Sequence, residues 1–337
     1  MLMSTHKRQL SENQALRELV AGFPRKPGQL NALLEGDAEL VRIDTQTVLA
    51  ITTDTIVEEI ESGLYADPFL IGWMTITSNL SDLAAVGADP LGILLIQHLP
   101  LNLGSSFLQR LQEGISKACR NSHVYVLGGD TNQSSSLQMG AAAIGLIQDE
   151  KIILRKGYKP GDRLFISGLM GKGGAFAFAR FFTEQAPHSI PFCPEPRLEE
   201  GKLIRRYGSS CIDTSDGFFP AICNLIEINN HGIELHQNLD LIVDKRSMVF
   251  AKTVNIPPWF LLAGPHGEFE LVFTIPDKET EQFVQAANAM NWYPQCIGRI
   301  IEDPVFKYCK EQKLKQLDVF RIADLYLTGG GNPEAYL

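Results

Sequence analysis

At 337 residues, with 45% hydrophobic and 20% charged side chains, the chain reads as a soluble globular protein of one large or two medium domains. A formal net charge of −9 argues against nucleic-acid or anionic-membrane partners, which require basic patches, and implies that any anionic ligand needs a divalent cation beside it. Six cysteines without a C-x-x-C pair and seven histidines without H-E-x-x-H make a zinc framework a poor reading and reduced thiols the expected one. The start "MLMSTHKRQL" has no apolar signal core, and no apolar run approaches the roughly 18 to 20 residues of a membrane span. The expected location is cytoplasmic.

In chain order, Ser11 and Gln14 form a capping box for a helix through Leu16, Leu19 and Val20. Gly36-Asp37 makes a turn into the apolar "LVRI", and "TVLAITTDTIV" (47–57) predicts a strand. Asp67 followed by Pro68 opens a helix that stops at Gly87, and a second helix is expected over 105–120. "VYVL" and "QMGAAAIGLI" read as strands around the loop "GGDTNQSSS". A boundary falls near 150–162. Beyond it come a glycine turn "GLMGKGG" with the helix "AFAFARFF", a strand–turn–helix "CIDTSDGFFPAICNLIEI", a strand "FELVFTIP", a helix near 278–290 and a strand "QCIGRI". No repeat or low-complexity segment interrupts this pattern, which predicts two α+β domains.

The candidate chemistry lies in aspartates at turns. Ser78, Asn79 and Asp82 share a face of a helix that is otherwise apolar nearly all round, where a carboxylate is costly unless paired. The plain alternative is an Asp reaching water or a backbone amide. Gly128-Gly129-Asp130 closes a predicted strand, and Asp213 and Asp216 flank Ser215 in the turn "IDTSDG". There the plain alternative is a helix N-cap by Ser215 or Asp216. Lys172 sits in a glycine turn before a helix, a weak phosphate signal that lacks the Ser or Thr of a Walker A loop. If Asp37, Asp54, Asp82, Asp130, Asp213 and Asp216 converge, cations must offset them. Mg²⁺ shared between carboxylates and phosphates fits, and so does phosphoryl transfer, which needs positioning and charge neutralisation and no Cys or His nucleophile.

The motifs "TTDTIVE", "SNLSDLAAVGADP", "LGGDT", "LRKGYKPGDRLFISGLMG" and "CIDTSDGF" occur in this order over roughly residues 30–300. Together they resemble the ATP-binding superfamily of aminoimidazole ribonucleotide (AIR) synthetase (PurM), selenophosphate synthetase and HypE, and most closely its thiamine-monophosphate kinases. The resemblance implies a two-domain PurM-like α+β fold: an N-terminal domain over 1–150, a C-terminal domain over 151–320 and a tail over 321–337. It implies a homodimer whose N-terminal domains join in a β-barrel, and ATP held between the domains. By the same resemblance Asp37, Asp54, Asp82, Asp130 and Asp216 hold Mg²⁺. Gly128, Gly129, Asp130, Thr131, Arg155, Asp213 and Ser215 bind ATP or its phosphates, and no residue serves as a covalent nucleophile. The γ-phosphate passes directly to a small phosphorylated or heterocyclic acceptor. The family pattern departs on the acceptor side. Ala38 replaces a second Asp, with Glu39 as a possible substitute, and Glu61 replaces a His. "GPHGEFEL" puts Glu268 and Phe269 in a shifted acceptor segment. The alternatives are an AIR synthetase-related ligase and a non-catalytic nucleotide-binding paralogue.

Overall fold

The computed structural model describes residues 18–20, 22–148, 151–183, 190–264 and 266–322. The Ser11–Gln14 capping box and most of the tail lie outside these residues. Two mixed sheets carry the architecture, and they bear out a two-domain α+β fold.

The first sheet has the order β1-β2-β5-β3-β4, with β1 Glu39–Arg42, β2 Thr47–Thr55, β3 Asp89–Pro100, β4 Val126–Ser134 and β5 Gln138–Gln148. All pairs are antiparallel except β3 with β4. In β2 the inward positions Val48, Ala50 and Thr52 alternate with exposed Ile51 and Thr53. That period of two is the mark of a sheet covered on one side. The cover is the helix Pro68–Ala85, whose N-cap Asp67 accepts from the Phe69 amide. It is buried nearly all round because the helix Ser105–Asn121 crosses it closely. A Cβ at Gly114 would lie 2.0 Å from the Phe69 carbonyl oxygen, so no larger residue fits that crossing.

The second sheet runs β12-β11-β8-β10-β6-β9-β7, with β6 Arg163–Ile166, β7 Ser210–Asp213, β8 Gly232–Leu235, β9 Leu271–Ile275, β10 Gln295–Ile301, β11 Phe306–Lys310 and β12 Lys313–Leu317. Helices Lys172–Phe182, Phe218–Asn229 and Lys245–Thr253 contribute to an apolar core that includes Phe218, Phe219, Phe250 and Phe260. The Pro68–Ala85 helix also packs against β7 and the helix Leu198–Tyr207. It is therefore the element shared by the two halves.

One expectation changes. The segment "GGDTNQS" is not a loop: it continues β4 beside β3. Gly129 permits this pairing, since a Cβ there would lie 2.1 Å from the Leu95 carbonyl oxygen. Within one chain the first sheet is open among the described residues, with β1 and β4 as its outer strands.

Candidate metal and phosphate site

Asp37, Asp82 and Asp213 each present a carboxylate oxygen within 4.8 Å of the others. Three separate pieces of chain bring them there. Asp37 leaves the turn before β1, Asp82 lies near the end of the Pro68–Ala85 helix, and Asp213 closes β7. The helix supplies two consecutive contacts. Asp82 Oδ2 accepts from Thr52 Oγ on β2 at 2.6 Å, and Ser81 Oγ donates to Asp213 Oδ2 at 2.6 Å. Ser215 Oγ donates to the other Asp213 oxygen at 3.0 Å. Arg155 reaches Asp37 Oδ1 through Nη2 at 2.8 Å and Nε at 3.2 Å.

The Asp37 side chain is fully buried, yet its Oδ2 has no hydrogen-bond partner. Burial, followed by the charges of Asp213 and Asp37, pushes the Asp82 carboxyl well above the ordinary range. Burial and the Asp37 charge push Asp213 up to about 7. One arginine does not neutralise three carboxylates. At neutral pH the cluster holds either protons or a cation. An all-oxygen donor set with an unsatisfied oxygen fits a hard divalent ion such as Mg²⁺.

Asp54 lies on the helix-facing side of β2 beside Asn79, whose Oδ1 accepts the Asp54 amide at 3.0 Å. Burial raises its carboxyl and the Ser78 hydroxyl opposes the rise. Ser78, Asn79 and Asp82 thus share the face expected of them. Asp216 is exposed in the turn after β7. The helix there is capped by Gly217 at φ 95°, with no side-chain cap, so neither Ser215 nor Asp216 is spent as an N-cap. Glu59 is the acid the sequence reading passed over. It is partly buried, and the charges of Asp54 and Asp216 reinforce the burial that raises its carboxyl.

Asp130 stands apart from the triad. Asp54 pairs with Ala141, Ala141 with Leu95, and Leu95 with Gly129, so that row ends on a glycine. Asp130 pairs with Ile96 in the next row and so projects from the opposite, open face of the sheet. There Asn132 Nδ2 donates to it at 2.6 Å. Gly128 pairs with Leu94, and Thr131 Oγ donates to Gln97 Oε1 at 3.1 Å.

Of the residues expected on the acceptor side, Glu61 ends the short helix Val57–Glu61 and is exposed. Glu268 lies at the glycine turn, where its Oε1 accepts the amides of Gly171 and Gly173 at the start of the Lys172–Phe182 helix. Burial raises its carboxyl to about 8. The helix N-terminus considered for phosphate is therefore occupied by this carboxylate. Phe269 is buried, with its ring 6.5 Å from that of His266. His266 also packs on Tyr65, Phe176 and Phe192, and burial lowers its imidazole to about 3. Ala38 belongs to the apolar core of the first half at 2% exposure, and Glu39 accepts from Gln29. Glu39 thus does not stand in for the missing aspartate.

A family model described as AIR synthase related protein, N-terminal domain, matches residues 35–147. A thiamine-monophosphate kinase of Archaeoglobus fulgidus is 32% identical over 244 residues, 71% of this chain and 77% of the relative. The chain belongs to the thiamine-monophosphate kinase family. A second member, from Pyrococcus horikoshii, is 26% identical over 92% of this chain and 94% of its own length. The solved structure of AaThiL complexed with AMPPCP and TMP matches with a TM-score of 0.73 at 21% identity, covering 90% of this chain and 96% of that one. The fold is thus that of the family, and the protein is an ATP-dependent phosphotransferase of the thiamine-monophosphate kinase type.

Proposed function

We propose that this enzyme transfers the γ-phosphate of ATP to thiamine monophosphate or a closely related phosphorylated heterocycle, with Mg²⁺ held by Asp37, Asp82 and Asp213. The buried triad with its unpartnered Asp37 oxygen carries the reading. Bound there, Mg²⁺ would neutralise phosphate charge as the phosphoryl group moves. The chain's own groups do the rest. Arg155 fixes Asp37, Thr52 and Ser81 fix the other two carboxylates, and Asp54 with Asp216 extends the acidic surface towards the phosphates. Arg155, Ser215, Gly128, Gly129 and Thr131 are assigned to the nucleotide side, and Glu61 and Phe269 to the acceptor side. No side chain acts as a covalent nucleophile.

The division at about residue 150 separates the two sheets and is taken as the domain boundary. The second copy of a homodimer fits the open face of the first sheet. Leu94 and Ile96 of β3 are more than one-third exposed there, and Val126 and Leu127 lie on the free edge strand β4. Two such sheets packed together would close a barrel and bring Asp130 towards the partner. A cytoplasmic location agrees with the acidic composition and with cysteines held as thiols.

The test is turnover of ATP with thiamine monophosphate in Mg²⁺ and in EDTA. Equal amounts of ADP and doubly phosphorylated acceptor, abolished by EDTA, are expected. Tight Mg-ATP binding without transfer to this or related phosphorylated heterocycles would overturn the reading in favour of a non-catalytic role.

A further inference from the structure

A cavity of about 1240 Å³ lies away from the triad, between the helices Lys172–Phe182 and Lys245–Thr253. Ordinary small-molecule pockets occupy roughly 300–1,000 Å³. Its lining is divided. Lys172, Lys245 and Arg246 give it three cations against one carboxylate, Asp244, although the whole chain carries −9. Phe182, Val249 and Phe250 contribute to its apolar wall. Both helices begin at the cationic end, but their first amides are already engaged, by Glu268 in one and by Asp244 in the other. Recognition of an anion therefore falls to the side chains. Among the described residues Lys245 and Arg246 form no ion pair. Val249 is 65% exposed and Phe182 44%, so apolar surface lies beside these cations.

We infer that this cavity is a second ligand site that takes a small amphipathic anion, with one phosphate or carboxylate head against the cations and an apolar body along the wall. It shares no residue with the triad, and it gives Lys172 of the glycine turn a role that the nucleotide site does not use.

The test uses the full chain and 8-anilinonaphthalene-1-sulfonate, read by fluorescence in saturating Mg-ATP. Saturable binding is expected, weakened about tenfold by the double variant Lys245→Glu/Arg246→Glu and by Val249→Asp, as loss of a charge-assisted contact or of apolar contact would do. All three positions are exposed, and unchanged thermal melting confirms that the variants fold. Dodecyl phosphate and decanoate should compete, the tighter of the two naming the head group, and inorganic phosphate alone should not. Absence of saturable binding in saturating Mg-ATP, or equal binding to the charge-reversed variant, would overturn the site. Kinase turnover in the same variants reads the phosphotransfer reaction separately.

Discussion

Two buried acidic sites in this chain use the same chemistry to opposite ends. In the triad, Asp82 is held by one hydroxyl group, Asp213 by two and Asp37 by one guanidinium, and an oxygen of Asp37 is left without a partner. Negative charge is concentrated there with too few donors to absorb it. Glu268 is just as buried but stands at the positive end of a helix, with two backbone amides on one oxygen. Its other oxygen, like that of Asp37, has no hydrogen-bond partner, but Glu268 stands alone and burial raises its carboxyl to about 8, so near neutral pH a single proton neutralises it. What surrounds a buried carboxylate, rather than its burial, decides whether it is left to bind a cation.

The sharpest way to break this contrast is to neutralise one acid in each site. Asp82→Asn should lower turnover by on the order of 10²–10³ and weaken Mg²⁺ binding in step, whereas Glu268→Gln should leave Mg²⁺ affinity within about twofold. Equal losses in a Mg²⁺ titration would erase the distinction. Next in size is Ala38→Asp. Because Ala38 packs in the apolar core, the new charge should destabilise the chain by on the order of 3 kcal/mol, read as a fall in Tm. An unchanged Tm with tighter Mg²⁺ binding would instead place residue 38 in the metal cluster.

The third effect is a pH dependence. Asp213 titrates at about 7 in the fold against an ordinary 3.8, because burial and the Asp37 charge disfavour its anion. Below about pH 4 the folded and unfolded chains both keep this proton, and above about 7 both lose it. Between those limits unfolding releases it, so stability in EDTA should fall as pH rises across that window, by a few kcal/mol at most. Saturating Mg²⁺ should flatten the slope in a denaturant titration, and a slope that stays the same with metal would count against cation binding by the triad. The smallest change is expected from Asp130→Asn. On the open face of the sheet, its loss should alter Mg²⁺ affinity at the triad less than threefold by calorimetry.

Much of this was legible in local pattern. The Asp67-Pro68 start and Gly87 stop mark the Pro68–Ala85 helix, and the period of two in "LAITTD" puts Thr52 and Asp54 on one face of β2. That same period offered Thr52 as a partner for the aspartates, although it was passed over. Glu59 was missed because it sits in a short helix where spacing alone gives no direction. The "GGDT" segment read as a loop because its glycines look like turn residues, whereas Gly129 is there to let β3 and β4 approach.

By itself the amino-acid sequence determined the type of most elements it marked, the order of the acidic motifs and their resemblance to an ATP-using family, because all of these depend on neighbours a few residues apart. Only the tertiary structure decided which acids meet. The meeting of Asp37, Asp82 and Asp213 depends on a single helix held between two sheets, and the separation of Asp130 depends on one residue of register in β4. Glu268 is likewise tied to backbone amides some 95 residues earlier in the chain. Contacts between distant segments leave no periodic trace, so the roles of these carboxylates follow from packing.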